Sequence, residues 1–257
     1  MSDIKLHGRL FITGNILLVT GLHIGATESV FSIGKTDKTV IANPLTGQPY
    51  IPGSSLRGKL RSLTERYKGA VSGQTIAQGE IHSCKDPQCP ICALYGRPAE
   101  ANLLPTRMIV RDVPLLPESA LHLKAARTPM PYTEVKTEVS IDRVTSQANP
   151  RTMERVPAGA EFGPMELIIS LYEPSDLDLL DLLLDGMTLL EDDYLGGHGS
   201  RGSGKIEFRN LQVRLKAGGG AYRNESAAQP PEGVNLKGLA AVLIAVRTEA
   251  QTLLFHA

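Results

Sequence analysis

The spacing of apolar positions predicts a strand and then a helix in the first quarter of the chain. Residues 5–19 alternate apolar and polar side chains, as a strand with one buried face does. A helix capped by Ser54 or Ser55 is expected to run to about Lys68. Its single apolar stripe consists of Leu56, Leu60, Leu63 and Tyr67.

The second half of the chain repeats these patterns. Residues 164–171 form a buried strand, and a helix capped by Ser175 follows to about Leu190. Residues 206–215 predict a last strand with a bulge near Asn210. A C-terminal helix is expected from about Leu236 to Phe255, with an apolar side made of Leu239, Leu243, Val246 and Leu253.

A protruding β-hairpin is predicted between these halves. Residues 131–142 alternate cleanly, residues 143–151 are polar, and residues 153–156 return to a strand pattern. The order strand, helix, hairpin, strand, helix, strand is typical of an α+β ferredoxin-like domain, with helices on one face of an antiparallel sheet.

The same patterns suggest domain boundaries. Residues 1–68 and 106–216 form the main domain, which carries the hairpin at about residues 130–157. Residues 69–105 lose all periodicity and form an insertion. Residues 217–233 are a linker rich in Gly, Ala and Pro, and residues 234–257 are the C-terminal helix.

Composition narrows the function. Among 257 residues there is no Trp and aromatics are 5%, which argues against a surface that stacks many bases. The formal net charge is +0, so any RNA contact needs a local basic face. The first five residues lack the apolar core of a signal peptide. The longest apolar run, residues 239–246, is too short to span a bilayer. We therefore expect a cytoplasmic protein.

A cluster of metal-ligand residues lies in the insertion. His82-x-Cys84-x4-Cys89-x2-Cys92 places four ligands within eleven positions, which favours a closed, structural Zn²⁺ site. The alternative is three buried or reactive thiols in a loop. His82 is the expected fourth ligand beside the three sulfurs.

A glycine-rich loop precedes the last strand. Gly197-x-Gly199-x-x-Gly202 matches the dinucleotide-binding pattern, but a helix precedes it and a strand follows, the reverse of the required order. Phosphate or RNA-backbone binding fits better, since Ser200, Arg201, Ser203 and Lys205 supply donors and positive charge. A flexible turn is the alternative for this loop taken alone.

Four stretches together resemble one known family. They are residues 21–25, 43–59, 132–143 and 193–205, and the resemblance extends over about residues 5–215. The sequence looks like the repeated backbone subunit of the type III-A (Csm) CRISPR effector complex, in the RAMP superfamily; type III-D relatives carry similar blocks.

The resemblance implies an RRM-like palm with a hairpin thumb, stacked as a filament along guide RNA. Each thumb displaces a nucleotide pair, and target RNA is cut there with a divalent metal such as Mg²⁺ or Mn²⁺. Asp37, in the loop of residues 33–40, falls on the family's catalytic position, beside Lys35 and Lys38. The expected products are a 2′,3′-cyclic phosphate and a 5′-hydroxyl.

The resemblance also implies the RNA contacts and partners. Arg143 and Arg155 of the thumb would touch the duplex, and the guide backbone would be held by His23, Ser54, Ser55, Arg57, Lys59, Arg61, Gly199, Ser200 and Arg201. The expected partners are guide CRISPR RNA, single-stranded target RNA, further copies of the chain and other type III subunits, with no membrane.

Two other functions stay open. The chain could be a non-catalytic RNA-binding scaffold of the same complex. It could also be a metal-independent endonuclease that matures guide RNA, with His23 or His198 as acid and base.

Overall fold

The computed structural model describes residues 4–26, 39–70, 74–76, 79–97, 105–126, 128, 130–217, 225–226 and 233–255. The strands are β1 Gly8–Leu18, β2 Tyr50–Ile51, β3 Gln74–Ile76, β4 Gly79–Ile81, β5 Met108–Val110, β6 Val113–Pro114, β7 Glu134–Ile141, β8 Ala148–Arg155, β9 Glu161–Leu171, β10 Ile206–Ala217 and β11 Glu225–Ser226. The α-helices are α1 Gly53–Tyr67, α2 Pro90–Tyr95, α3 Pro117–Ala125, α4 Leu179–Asp192 and α5 Leu236–Phe255.

An antiparallel sheet in the order β11-β10-β1-β9-β5 forms the centre of the molecule. Burial alternates residue by residue along β1, and Leu10 lies between Leu215 and Ile169 of the neighbouring strands. Without the two-residue β11, the strand order is that of a ferredoxin-like sheet. The predicted α+β class is therefore confirmed, although β5 was not anticipated.

One face of this sheet carries the helices. The buried residues of β1 join α1, α4 and α5 in a single apolar core, while the alternate residues of β1 stay half-buried on the opposite face. The pairing of β1 with β10 shifts between Thr13 and Asn15, where Asn210 has φ of 52°. The bulge predicted near Asn210 is confirmed.

The predicted caps of α1 are wrong. The helix begins at Gly53, so Ser54 and Ser55 lie inside its first turn. The carboxylate of Asp112 accepts a hydrogen bond of 2.7 Å from the Gly53 N–H and takes the capping role from a distant part of the chain. Tyr67 was expected in the apolar stripe but is 60% exposed.

The two other main helices also differ in detail. A 3₁₀ turn, Pro174–Asp178, precedes α4, and Glu173 with Asp176 forms its capping box, so Ser175 is not a cap. The predicted bounds of α5 are confirmed. Its buried face includes Leu254, whereas Leu253 is 42% exposed.

Helix α5 contains the apolar run that was expected to be too short to span a bilayer. By length and composition alone, it is the one helix in the described part of the chain that could do so. Its buried stripe packs on the palm, and Arg247 donates to the Leu177 carbonyl at 2.9 Å. The apolar window of this helix is 28% buried, so α5 is a surface helix that packs one stripe on the palm.

The insertion contains short elements that periodicity could not reveal. Strands β3 and β4 pair with each other, and the six-residue α2 packs on α1. Tyr95 is 1% exposed, its hydroxyl lies 3.1 Å from Thr64 Oγ1, and burial raises the pKa of Tyr95 to about 12. The insertion is thus anchored to the palm through an apolar contact.

The thumb hairpin is confirmed. Strands β7 and β8 pair with each other from Glu134↔Arg155 to Ile141↔Ala148, outside the central sheet. Val139, Ile141 and Val144 are 55%, 54% and 92% exposed. The hairpin therefore protrudes with one apolar face in solvent. Strand β11 falls within the predicted linker, and the proposed domain boundaries stay predictions.

A buried ion pair joins the approach to β5 with the turn after β9. Arg107 Nε lies 2.7 Å from Asp176 Oδ1, and both side chains are at most 4% exposed. The other oxygen of Asp176 accepts hydrogen bonds from Tyr172 N and Glu173 N at 2.7 and 3.0 Å. This carboxylate thus organises the turn that leads into α4.

Replacing Arg107 by methionine is expected to lower the free energy of unfolding by about 3–5 kcal/mol, because it leaves a buried carboxylate without its cation. Urea denaturation measures this loss. Arg111→Met is the control: its pair with Glu166 is 3.7 Å long and exposed, so the change should be at most about 0.5 kcal/mol. Equal losses in both variants would contradict the assignment.

Candidate functional site

Two of the four sequence stretches that carry the family resemblance, residues 21–25 and 193–205, meet the thumb root at one edge of the palm. The segment of residues 21–25 lies between the glycine-rich loop and the thumb root. Leu22 exchanges two backbone hydrogen bonds with Val156 at the thumb root, at 2.9 and 2.8 Å. On its other side, Gly197 N donates to the His23 carbonyl at 2.8 Å and Gly204 N to the Gly21 carbonyl at 2.9 Å.

The glycine-rich loop is shaped by close backbone approach. Gly196 has φ of 73°, and a Cβ there would lie 2.3 Å from the His23 carbonyl oxygen. A Cβ at Gly199 would overlap the Tyr194 ring, at 2.1 Å. Only glycine fits these two positions. The 3₁₀ turn Gly199–Arg201 that follows places Ser200 and Arg201 on the surface beside the thumb.

His23 is buried at the centre of this edge. It is 6% exposed, and its Nδ1 lies 2.7 Å from the Glu154 carbonyl oxygen. Because a carbonyl only accepts, Nδ1 carries the proton in this bond. The ring of His198 meets that of His23 edge to face, with centroids 5.5 Å apart. Nε2 lies on the side of Gly25.

The loop that contains Asp37 begins and ends beside His23. Asp37 lies outside the described residues, but the ends of its loop do not. Ala26 N donates to the Thr39 carbonyl at 3.0 Å, and Ile41 N to the Ile24 carbonyl at 2.9 Å. The segment between them therefore starts and finishes next to the glycine-rich loop.

Glu154 ties this loop to the thumb and was missed by sequence reasoning. Its buried carboxylate accepts a hydrogen bond of 2.9 Å from Val40 N and another of 2.6 Å from Thr133 Oγ1. Val40 follows the Asp37 loop, and Thr133 precedes strand β7. A lone acid in a predicted strand was the only signal in the sequence.

The basic residues of α1 are held within the protein. Arg57 donates to the Tyr95 carbonyl at 2.6 Å, and burial, followed by the charge of Arg61, lowers the pKa of Arg57. Lys59 pairs with Asp193 at 2.8 Å and lies 3.7 Å from the centre of the Tyr194 ring. These contacts fasten α1 to the insertion and to the glycine-rich loop, and they favour a positioning role for both side chains.

Arg61 links α1 to the metal-ligand cluster. Its guanidinium donates to Glu65 at 2.6 Å and to the His82 carbonyl at 2.5 Å. The Glu65 carboxylate also accepts a hydrogen bond of 3.2 Å from His82 N. This geometry favours an anchoring function for Arg61 over the predicted RNA contact. Ser54 is exposed and Ser55 half-buried, beside the Asp112 carboxylate that already occupies the helix start.

The thumb arginines occupy different positions. Arg155 lies at the root, where its Nε donates a hydrogen bond of 2.6 Å to the Glu134 carboxylate. Its side chain packs on Gly21. Arg143 lies at the exposed tip. The Asp142 carboxylate accepts from Val144 N and Thr145 N at 2.7 and 3.0 Å to shape that tip, and these bonds lower the pKa of Asp142.

The insertion brings its four predicted ligands together. The ligand atoms of His82, Cys84, Cys89 and Cys92 all lie within 4.8 Å of one another, so the cluster could hold a metal ion. His82 Nε2 is 3.3 Å from the Cys89 sulfur, and the Cys84 and Cys92 sulfurs are 3.8 Å apart. Burial raises the pKa of the Cys89 thiol to about 11, so a bound cation would displace its proton.

Comparison with known proteins agrees with this architecture. Residues 15–207 match the family model of the RAMP superfamily. The chain is 43% identical over 216 residues to the CRISPR system Cms endoribonuclease Csm3 of Methanothermobacter thermautotrophicus, which covers 79% of this chain and 84% of that protein. Its Streptococcus thermophilus counterpart is 37% identical over 209 residues, covering 80% and 89%.

Solved structures give the same result. The crystal structure of a Csm3-Csm4 subcomplex in the type III-A CRISPR-Cas interference complex aligns with a TM-score of 0.62 and 31% identity, over 94% of this chain and 97% of that one. A type III-B Cmr-beta complex bound to cognate target RNA aligns with a TM-score of 0.54 at 17% identity, over 80% and 61%, which supports the fold alone. The chain belongs to the RAMP superfamily and, within it, to the family of the Csm3 endoribonucleases.

Proposed function

We propose that this chain is a backbone subunit of a type III CRISPR ribonucleoprotein, in which it holds guide RNA and cuts the complementary target RNA at regular intervals. The observation that carries the proposal is the meeting of the glycine-rich loop, the His23 segment, the thumb root and both ends of the Asp37 loop at one edge. One strand of RNA that follows this edge would contact all four.

Guide binding is assigned to the exposed part of this edge. Backbone N–H groups of a glycine-rich turn, with Ser200 and Arg201, suit a sugar–phosphate chain, which the protein would recognise without selecting bases. Arg143 and Arg155 would contact the guide–target duplex along the thumb. His23, held by the Glu154 carbonyl, positions the segment beneath the RNA.

Cleavage is assigned to Asp37. The ribose 2′-hydroxyl gives up its proton as its oxygen attacks the adjacent phosphorus, the bond from phosphorus to the 5′-oxygen breaks, and that oxygen takes up a proton, which gives a 2′,3′-cyclic phosphate and a 5′-hydroxyl. Asp37 would orient that attack once the thumb has displaced the nucleotide. A divalent cation such as Mg²⁺ or Mn²⁺ supplies charge neutralisation at the phosphate.

The cluster in the insertion is proposed to bind structural Zn²⁺. With Zn–S bonds of about 2.3 Å in a tetrahedron, two sulfurs lie about 3.8 Å apart, and the Cys84 and Cys92 sulfurs match this spacing. Three thiolates and one imidazole fill all four positions. No position is left for a reacting water, so this site would order the insertion and take no part in cleavage.

The remaining partners follow from the same assignment. We propose that copies of the chain stack along guide CRISPR RNA, next to other type III subunits, with single-stranded target RNA as the substrate. The complex would act in antiviral defence in the cytoplasm, without a membrane.

The experiment is target cleavage by an assembled complex that contains this chain. We expect a bound small RNA after purification, and evenly spaced cuts in end-labelled complementary RNA that need a divalent cation and stop in excess chelator. Bound guide without cuts would instead support the scaffold function. Cutting of precursor RNA that persists in chelator would support the metal-independent endonuclease.

A further inference from the structure

Strand β7 of the thumb is tied to the glycine-rich loop by charged side chains. Arg201 Nη1 donates a hydrogen bond of 3.0 Å to Glu138 Oε2. Lys136 Nζ donates one of 2.8 Å to the Arg201 carbonyl oxygen. Lys136 also lies 3.4 Å from the other oxygen of Glu138. Glu138 and Lys136 belong to β7, so these contacts connect the thumb directly to the 3₁₀ turn.

Glu138 is the acid that faces two cationic side chains. Arg201 and Lys136 lie beside its carboxylate, and His198 Nδ1, 4.0 Å from that carboxylate, accepts a hydrogen bond of 3.0 Å from Arg201 Nη1. The Glu138 side chain is 18% exposed, although that of Arg201 is 57% exposed. Burial raises the pKa of Glu138, but hydrogen bonds from Arg201 and Lys136 bring it below its ordinary value, so the carboxylate is ionised at neutral pH.

A cleft opens beside this carboxylate. It has a volume of about 340 Å³ and is lined by residues of the thumb and of the glycine-rich loop, among them Arg151 and Arg201. Carboxylate and phosphate oxygens form the same kind of charge-assisted hydrogen bond with a guanidinium group. Glu138 therefore occupies the position at Arg201 that an RNA phosphate would take.

We propose that Glu138 is an internal competitor of RNA phosphate for Arg201. The inference rests on the proposed function, since it assigns Arg201 to the RNA-binding edge. Without RNA, Glu138 neutralises Arg201 and holds the thumb against the turn. When a phosphate binds Arg201, it replaces Glu138 and removes one of the bonds that restrain the thumb, so RNA binding and release of the thumb are linked.

The alternative is a permanent tether, in which Glu138 keeps Arg201 in place and RNA binds elsewhere on the edge. The competitor and the tether predict changes of opposite direction in RNA affinity when Glu138 is replaced. A competitor weakens RNA binding, so its removal tightens binding. A tether positions Arg201 for the RNA, so its removal weakens binding or leaves it unchanged.

The test measures binding of a fluorescently labelled single-stranded RNA to the full-length protein. Glu138→Gln is expected to tighten binding about threefold at low salt, the range of one partly exposed ion pair. The gain should shrink as salt rises, because salt screens the internal pair as well. Glu166→Gln, which removes the same charge from an exposed pair elsewhere on the sheet, should leave binding unchanged.

Arg201→Ala separates the possible failures. Weaker binding in this variant, together with no gain in Glu138→Gln, would overturn the competitor and leave the RNA-binding edge intact. Unchanged binding in Arg201→Ala would remove Arg201 from the proposed RNA-binding edge itself. The competitor also predicts that adding Glu138→Gln to Arg201→Ala gives no gain; a threefold gain there would overturn it as a general charge effect.

Discussion

Replacing Asp37 by alanine is expected to reduce target cleavage by at least about 100-fold, the low end for loss of one positioned catalytic group. Guide binding should persist, because the RNA-binding edge is built from other segments. The backbone pairs at Ala26–Thr39 and Ile24–Ile41 fix both ends of the Asp37 loop next to His23. The ends of the loop would therefore keep their place when the carboxylate is removed.

The measurement is single-turnover cleavage by the assembled complex, with guide content determined in parallel. Asp185→Ala is the matched control, since Asp185 is an exposed aspartate on α4 that pairs with Lys68 at 3.2 Å. It should cut at the wild-type rate. Product bands of unchanged intensity in Asp37→Ala, with guide bound, would remove Asp37 from the reaction.

Replacing Cys92 by alanine is expected to abolish metal binding and disorder the insertion. Cys92 is 2% exposed and its sulfur faces that of Cys84. Structural zinc sites contribute roughly 10 kcal/mol or more of apparent binding free energy. This exceeds what the short α2 and its contacts with α1 can replace, so the insertion should lose its order while the sheet persists.

Metal content per chain and amide hydrogen exchange over Pro90–Tyr95 measure this effect. The wild type should carry about one Zn²⁺ ion, as a closed site requires. Ser83→Ala is the control, because Ser83 lies between two ligands and supplies none; its metal content and exchange should match the wild type. Metal-free wild type whose α2 is fully protected would refute the zinc assignment.

The long elements could be predicted from the sequence because each buries one face. Mixed alternation identified β1, clean alternation identified the first thumb strand, and helical spacing identified α5 from its first to its last residue. Shorter elements have too few residues for a period to show, as with α2 and β5. The cap of α1 was missed because Asp112 comes from 59 residues further along the chain.

The candidate site also has a part that the sequence predicts and a part that it does not. Its backbone positions follow from local glycine and turn chemistry, so the loop of residues 196–204 could be located from the sequence. The partners of its basic side chains could not, since Lys59 meets Asp193 and Arg61 meets His82 only after folding. Glu138 and Glu154 were missed for the same reason: an acid on a strand has no local pattern that reveals its function.

The two thumb strands pair with each other outside the central sheet, and this sets a rule for changing their length. Ser140 of β7 and Asn149 of β8 face each other. Two residues added after Ser140 and two added before Asn149 would lengthen the thumb by about 7 Å and keep every side chain on its present face. One residue added to each strand would invert the faces of all positions beyond the addition. Orthologous thumbs of different length are therefore expected to differ by even numbers of residues per strand.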